Sequence, residues 1–239
     1  MSGKRLGVVM DPICQINPNK DSSLAMLLEA QARGYRIQYF EQSDLRLEDG
    51  DARGYGRDLN VMDDNDDWYR LGAVSDLRLA DLDVILMRKD PPFDTEYIFT
   101  TYILERAELA GTLIVNRPNS LRDINEKVFT AWFPDCCPPT LITRSMRQLR
   151  GFLHEQQKIV IKPLDGMGGR SIFVVDKDDN NANVIFETLT DYDRKFSMAQ
   201  KYVPEIVDGD KRILMIRGEP ASHVLARNPQ PGDHRGNLV

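Results

Sequence analysis

The 239-residue sequence contains no long hydrophobic run. Its longest apolar stretches, Val84–Met87 and Leu113–Val115, have the length of a strand and fall far below the ~20 residues that a membrane-spanning helix needs. No apolar segment of the signal-peptide type follows Lys4 and Arg5. We therefore expect no membrane partner and no secretory signal.

Cysteine and basic tracts are also scarce. Cys14, Cys136 and Cys137 are too few for a disulfide framework, and no Cys or His cluster has zinc-binding spacing. The net charge of −6 argues against nucleic-acid binding. The sequence thus predicts a cytoplasmic protein, whose near-neutral second half is the better place for an anionic small molecule.

The first half alternates strands with helices, a pattern typical of βαβ units and a parallel sheet. One helix is predicted with Asp21 or Ser22 as its N-cap and Gly34 just past its end, and a second over Tyr97–Ala110. The polar stretch from Glu48 to Asp83 has no clear pattern. The predicted strands are 6–10, 35–40, 84–87 and 112–115.

The second half has the rhythm of an α+β domain with an antiparallel sheet. A helix is predicted from Ser120 to about Phe133, and another begins at Ser145, where Gln148 completes a capping box. Turn residues separate the strands, and the two halves are expected to meet near residues 118–140. The predicted strands are 140–143, 158–162, 171–175, 198–202, 211–216 and 221–226.

A glycine-rich loop follows the strand that ends at Lys162. Gly166, Gly168 and Gly169 would let backbone N–H groups approach phosphate oxygens, with the lysine charge beside them. An ordinary hairpin loop with an exposed lysine is an equal alternative. A Walker P-loop sequence is absent, and a Rossmann turn is excluded because a strand, Ser171–Val175, follows the glycines. The pattern favours a flap that closes over phosphates.

Other candidate residues have both a functional and a structural interpretation. Lys127 lies on a predicted helix, where a solvated lysine is common. The segment Gln200–Val203 could face a purine edge or form a hinge between domains. Arg88 follows a parallel strand at the sheet edge where ligands often bind. The remaining candidates, in the C-terminal strands and a loop that could act as a lid, are Asp210, Arg212, Arg227 and Arg235.

Several motifs in the same order and spacing resemble bacterial glutathione synthetase. They include Met87-Arg-Lys-Asp-Pro-Pro-Phe-Asp94, Lys162-Pro-Leu-Asp-Gly-Met-Gly-Gly169 and Asp208-Gly-Asp-Lys-Arg212. The resemblance implies an ATP-grasp fold of mixed α/β and α+β class. Its expected parts are an N-terminal parallel-sheet (pre-ATP-grasp) domain at 1–122, a central lid domain at 123–204 and an incomplete C-terminal domain at 205–239.

The same resemblance implies the roles of the candidate residues. Arg212 and Arg227 would stabilise an acyl-phosphate reaction centre, and Arg88 and Arg235 would contact the peptide substrate. The residues expected to bind ATP are Lys127, Lys162, Gly166, Gly168, Gly169, Gln200, Lys201, Tyr202, Val203 and Asp210.

The implied activity is ATP-dependent ligation of glycine to γ-glutamylcysteine through an acyl phosphate, with Mg²⁺ or Mn²⁺ and in a homotetramer. Lysines, arginines and glycines suit this chemistry, because phosphoryl transfer needs charge stabilisation more than a protein nucleophile. The metal ligands are expected beyond Val239, so the isolated polypeptide is expected to be inactive and to expose apolar surface. The alternatives are another ATP-grasp carboxylate–amine ligase and a non-catalytic nucleotide-binding remnant. Met87–Asp94 and Arg235–Asn237 favour glutathione synthetase over another ligase, since they lie in substrate-facing regions.

Overall fold

The computed structural model describes residues 3–228. The chain divides into two compact units, residues 1–124 and residues 125–239. No helix among the described residues is long and apolar enough to cross a membrane.

The first unit contains a seven-stranded mixed sheet with helices on both faces. The helices are α1 Ser22–Ala32, α2 Thr95–Leu109 and α3 Pro118–Asp123. The strands are β1 Arg5–Met10, β2 Arg36–Phe40, β3 Leu45–Glu48, β4 Asp51–Val61, β5 Tyr69–Arg78, β6 Val84–Arg88 and β7 Leu113–Val115.

The parallel part of this sheet confirms the sequence prediction. The strand order is β3-β4-β2-β1-β6-β7, with β5 paired to β4, and β2, β1, β6 and β7 run parallel. Alternate residues of β1 face opposite layers: Val8 packs in the α1 layer with Leu27, and Val9 in the α2 layer with Leu104. Because β1, β2 and β6 run parallel, all three end at the same edge of the sheet.

The stretch without a clear sequence pattern, residues 48–83, forms much of the antiparallel part. β4 pairs antiparallel with β2, β3 and β5. Gly54 and Gly56 lie under the Phe40 ring, and a Cβ atom added at Gly56 would come within 2.8 Å of the ring carbon Cζ of Phe40. Glycine is therefore required at these two inward-facing positions of the strand, where an apolar side chain would normally stand.

The second unit contains a four-stranded antiparallel sheet of order β10-β9-β11-β8. Two helices pack on one face of it, where Leu149, Ile161 and Phe186 are buried together. The predicted Ser145 cap of the first helix is confirmed, because its side chain accepts a 3.4 Å hydrogen bond from the Gln148 backbone N–H. The reciprocal half of the predicted capping box is not formed, because the Ser145 N–H donates to the Thr143 hydroxyl at 3.0 Å instead of to Gln148. The elements are β8 Thr140–Thr143, α4 Met146–Gln156, β9 Lys158–Pro163, β10 Phe173–Asp176, α5 Ala182–Thr190 and β11 Ser197–Lys201.

Several predicted boundaries are wrong, including that of strand 221–226, which begins at Leu225. The helix expected from Ser120 to Phe133 ends at Asp123, and a 3-10 helix follows at Val128–Trp132. The side-chain oxygen of Asn125 accepts hydrogen bonds from the backbone N–H groups of Lys127 (3.1 Å) and Val128 (3.0 Å), which gives the backbone an alternative to the helix. The strand expected from Ser171 begins at Phe173, because Ser171 still has a positive φ of 56°. Helix α5 was not predicted.

The final described segment forms two small antiparallel ribbons, β12 with β15 and β13 with β14. The predicted strand 211–216 is therefore split, whereas the predicted turn at Arg217-Gly218 does join β13 to β14. Large apolar side chains, including Leu214 and Ile216, are exposed here. The strands are β12 Asp210–Arg212, β13 Met215–Ile216, β14 Glu219–Pro220 and β15 Leu225–Arg227.

Candidate functional site

The glycine-rich loop spans residues 164–172 and joins β9 to β10. Gly168 and Gly169 adopt φ values of 65° and 74°, in the left-handed region where a side chain is costly. The loop therefore follows a path that depends on its glycines. A backbone of this kind presents N–H groups that can surround an anion.

Lys127 is hydrogen-bonded to this loop from a separate segment of the chain. Its ammonium Nζ donates to the Gly166 carbonyl oxygen at 2.6 Å and to the Glu126 carboxylate at 2.8 Å. The Asn125 amide donates to the Leu164 carbonyl oxygen at 3.4 Å. An ammonium group has three N–H donors, and Lys127 uses two of them within the described range 3–228, which leaves one for an anion held by the loop.

Lys162 lies next to the end of β9, on the face of the sheet opposite the helices. Ile159 and Ile161 face the helices, and the alternation of the strand turns Lys162 the other way. Burial lowers the pKa of the Lys162 ammonium, and the positive charge of Lys127 lowers it further. Two ammonium groups thus approach each other beside a glycine loop, an arrangement that a polyanion would stabilise.

Gln200 and Lys201 end β11, and Tyr202 and Val203 lead the chain out of the sheet. The Gln200 side-chain amide donates to the Thr140 hydroxyl at 3.0 Å, and the Tyr202 N–H donates to the Lys158 carbonyl oxygen at 3.0 Å. Gln200 occupies the same face of the sheet as Lys162. In the strand register Lys162 lies opposite Met198, and Gln200 is two residues after Met198 on the same strand, so the two side chains share a face. The segment is therefore fixed on the face that carries the lysine.

The β12–β15 ribbon contains Asp210, Arg212 and Arg227. The Arg227 guanidinium donates two hydrogen bonds to the Asp210 carboxylate, at 2.7 and 2.6 Å, while Arg212 is exposed. The structure places these residues in a separate ribbon rather than in the four-stranded sheet that carries Lys162. We call the Asp210–Arg227 pair the ribbon clasp. Arg235 lies outside the described residues.

In the first unit, Arg88 lies at the end of β6, at the sheet edge where β1 and β2 also end. Its Nε donates a 2.9 Å hydrogen bond to the hydroxyl of Ser23, a buried residue in the first turn of α1. Sequence reasoning did not find Ser23, since no motif joins it to a residue 65 positions away. Arg88 is thus attached to α1 as well as to its own strand.

Acidic groups and a second cation accompany Arg88 at this edge. Lys89 forms an ion pair with Asp11 at 2.8 Å, and the other Asp11 oxygen accepts the Asp90 N–H at 2.8 Å. Burial and the nearby Asp11 charge raise the pKa of the Asp90 carboxyl. A cavity of about 390 Å³ opens here, with Glu96 among its lining residues. Such a cavity offers both signs of charge to a polar ligand.

Comparison with known proteins covers both units. Residues 5–122 match the N-terminal domain of prokaryotic glutathione synthetase, and residues 126–239 match the ATP-grasp domain of the same family. Over 235 residues the chain is 59% identical to glutathione synthetase of Escherichia coli K12 and 58% identical to that of Yersinia pestis. These alignments cover 98% of this chain and 74% of each relative.

Solved structures show the same fold at low identity. D-cycloserine synthetase matches with a TM-score of 0.62 at 15% identity, covering 94% of this chain and 68% of that one. D-alanyl-alanine synthetase A from Vibrio cholerae matches with a TM-score of 0.59 at 10% identity, covering 97% of this chain and 70% of that one. Together with the matched ATP-grasp domain, these likenesses confirm the predicted ATP-grasp fold.

Proposed function

This chain belongs to the prokaryotic glutathione synthetase family, and we propose on that basis that it supplies the ATP- and peptide-binding residues of a glutathione synthetase. The enzyme is an ATP-dependent ligase. In the proposed reaction, the γ-glutamylcysteine carboxylate attacks the γ-phosphorus of ATP and releases ADP. The glycine amine then attacks the acyl phosphate, so that an amide forms, phosphate leaves and the amine loses a proton.

The observation that carries this proposal is the pair of ammonium groups at the glycine loop. Lys127 donates to the loop carbonyl of Gly166, and the buried Lys162 ammonium has a lowered pKa that a bound phosphate would raise. Negative charge on the transferring phosphoryl group is stabilised by fixed cations and N–H groups. We assign ATP phosphates to Lys127, Lys162 and the loop glycines Gly166, Gly168 and Gly169.

The other roles follow the family motifs. We propose that Gln200–Val203 lines the adenine pocket and that Asp210 holds the ribose region. Arg212 and Arg227 are assigned to the reaction centre. Arg88 is assigned to a substrate carboxylate, with support from its partly buried guanidinium, which forms no ion pair among residues 3–228. Arg235 keeps its proposed contact with the peptide substrate.

The described residues do not form a site for the metal. Residues 3–228 contain no group of three or more His, Cys, Asp or Glu side chains that could hold a metal ion. We therefore assign none of them to Mg²⁺ or Mn²⁺. That a divalent cation accompanies ATP is our proposal from the family.

Assembly and location are proposals of the same kind. We propose a homotetramer, which sedimentation equilibrium would measure directly. We also propose a reducing cytoplasm as the compartment. Its support is that Cys14, Cys136 and Cys137 are all free thiols in the structure.

Calorimetric titration of the purified chain tests the proposal. A non-hydrolysable ATP analogue and γ-glutamylcysteine should both bind, and Lys162→Met should abolish or greatly weaken binding of the analogue only. Lys177→Met is the matched control, since Lys177 is an exposed lysine at the end of β10 that lies away from the glycine-rich loop. Absence of binding of the ATP analogue would refute the nucleotide site. Binding of a different carboxylate in preference to the dipeptide would favour another ATP-grasp ligase.

A further inference from the structure

The side chain of Arg88, the residue assigned to the substrate carboxylate, is hydrogen-bonded to a buried group that is distant along the chain. Its Nε donates a 2.9 Å hydrogen bond to the Ser23 hydroxyl, and Ser23 is only 5% exposed. Ser23 belongs to α1 and Arg88 to β6, so the bond crosses from the helix layer to the edge of the sheet. A buried hydroxyl at this place is costly unless it is hydrogen-bonded, and Arg88 satisfies it.

The surroundings of Arg88 leave its charge available. Among residues 3–228 it forms no ion pair, whereas the neighbouring cation Lys89 is paired with Asp11. The titratable groups near Arg88 are the Asp90 carboxyl, which follows β6, and the Tyr97 hydroxyl on α2. Burial raises the pKa of both groups and the positive charge of Arg88 lowers it, so the charge of Arg88 acts on this edge of the sheet without a direct ion pair among residues 3–228.

The geometry of a guanidinium group gives this bond its consequence. Arginine has five N–H donors in a rigid planar fork, and the Nε donor lies at the base of that fork. Fixing Nε on Ser23 fixes the plane of the group and leaves the four donors of the two terminal nitrogens. A carboxylate binds such a fork through two parallel hydrogen bonds only when the plane is correctly oriented.

We infer that Ser23 is a positioning residue, which orients Arg88 to receive the carboxylate of the peptide substrate. This inference rests on the proposed role of Arg88. Ser23 itself does not touch the substrate in this scheme. It acts by preventing rotation of the guanidinium in the free protein. The side chain is therefore already ordered, and binding of the ligand does not have to offset the entropy cost of ordering it.

Equilibrium binding of γ-glutamylcysteine and of a non-hydrolysable ATP analogue to the full chain tests this inference. Ser23→Ala should weaken dipeptide binding roughly 3- to 10-fold, the range expected for one hydrogen bond, and leave binding of the ATP analogue unchanged. Ser23→Thr keeps the hydroxyl and should restore dipeptide binding. Ser22→Ala removes a hydroxyl from the exposed neighbouring position of the same helix and should change neither affinity.

A second background separates positioning from a general loss of packing. Lysine has no Nε–H fork, so Ser23→Ala should have no further effect on dipeptide binding in an Arg88→Lys chain. If Ser23 had only a structural role, Ser23→Ala would weaken dipeptide binding equally in the Arg88 and the Arg88→Lys chains. That result would overturn the inference. The ¹⁵N signal of the Arg88 Nε–H should also shift in Ser23→Ala and return in Ser23→Thr, which reports the bond independently of affinity.

The two proposals fail in different ways. If Arg88→Ala leaves dipeptide binding intact, the role of Arg88 in the proposed function is wrong. If Arg88→Ala abolishes dipeptide binding while Ser23→Ala matches the unaltered chain, Arg88 keeps its role and the positioning inference is overturned.

Discussion

Replacing Lys127 with methionine tests the connection between the glycine loop and the segment before β8. Lys127→Met keeps an unbranched side chain but removes the ammonium that donates to the Gly166 carbonyl at 2.6 Å and to Glu126 at 2.8 Å. The same ammonium is the second cause of the lowered pKa of Lys162, after burial. The variant should therefore release the loop and raise the Lys162 pKa toward its ordinary value.

The expected loss of nucleotide affinity can be worked from these contacts. In the part of the chain that the structure describes, two of the three ammonium donors are occupied, so the variant loses one charge-assisted hydrogen bond to phosphate, worth about 1.5–3 kcal/mol. At about 1.4 kcal/mol per factor of ten, affinity for an ATP analogue should fall roughly 10- to 150-fold. Glu126→Gln should act in the opposite direction and weakly, because that carboxylate is exposed and screened by solvent.

Calorimetric titration measures this affinity, and NMR titration of the lysine side chains follows the pKa of Lys162. Lys177→Met, which removes an exposed charge at the other end of β10, is the control. Equal affinities of Lys127→Met and Lys177→Met for the ATP analogue would refute the assignment of Lys127 to the phosphates. An unchanged Lys162 pKa in the variant would show that the two ammonium groups do not interact.

Three further predictions concern pH, the loop and the core. Bound phosphate should raise the lowered pKa of the Lys162 ammonium, so binding of the ATP analogue should take up protons. The affinity for the analogue should fall as the pH rises through the Lys162 pKa of the unliganded chain. Calorimetry in buffers of different ionisation enthalpy measures the proton uptake. Gly168→Ala, at φ 65°, should cost about 1–2 kcal/mol in urea unfolding and weaken binding of the analogue; equal stability would contradict the left-handed backbone. Leu149→Ala should lower the free energy of unfolding of the second unit by about 2–5 kcal/mol, whereas a loss similar to that of exposed Val184→Ala would contradict its burial.

Periodicity and capping predict the regular parts of this fold and fail where a side chain or a glycine changes the pattern. The Ser145 cap was predictable because its partner, Gln148, lies within one helical turn. The end of α3 was not, because the Asn125 oxygen that replaces helical hydrogen bonds looks like any other polar residue in the sequence. β4 was missed because two of its buried positions are the glycines Gly54 and Gly56, whose fit depends on a ring in another strand.

The candidate site shows the same limit. Lys162 and the loop glycines were predicted together, since a strand followed by a glycine-rich loop is visible in one short segment. The bond from Lys127 to Gly166 spans 39 positions, and the bond from Arg88 to Ser23 spans 65. Contacts at such separations depend on the packing of whole elements, which local patterns do not contain.

The ribbon clasp has a consequence for protein engineering. Asp210 and Arg227 close the intervening chain at its base, and the Arg217-Gly218 turn joins β13 to β14 within that chain. Lengthening a closed loop is cheap, at about 0.6 kcal/mol for each doubling of its length. The Arg217-Gly218 turn is therefore a suitable insertion point for a fluorescent reporter or affinity tag that leaves Lys127 and Lys162 untouched.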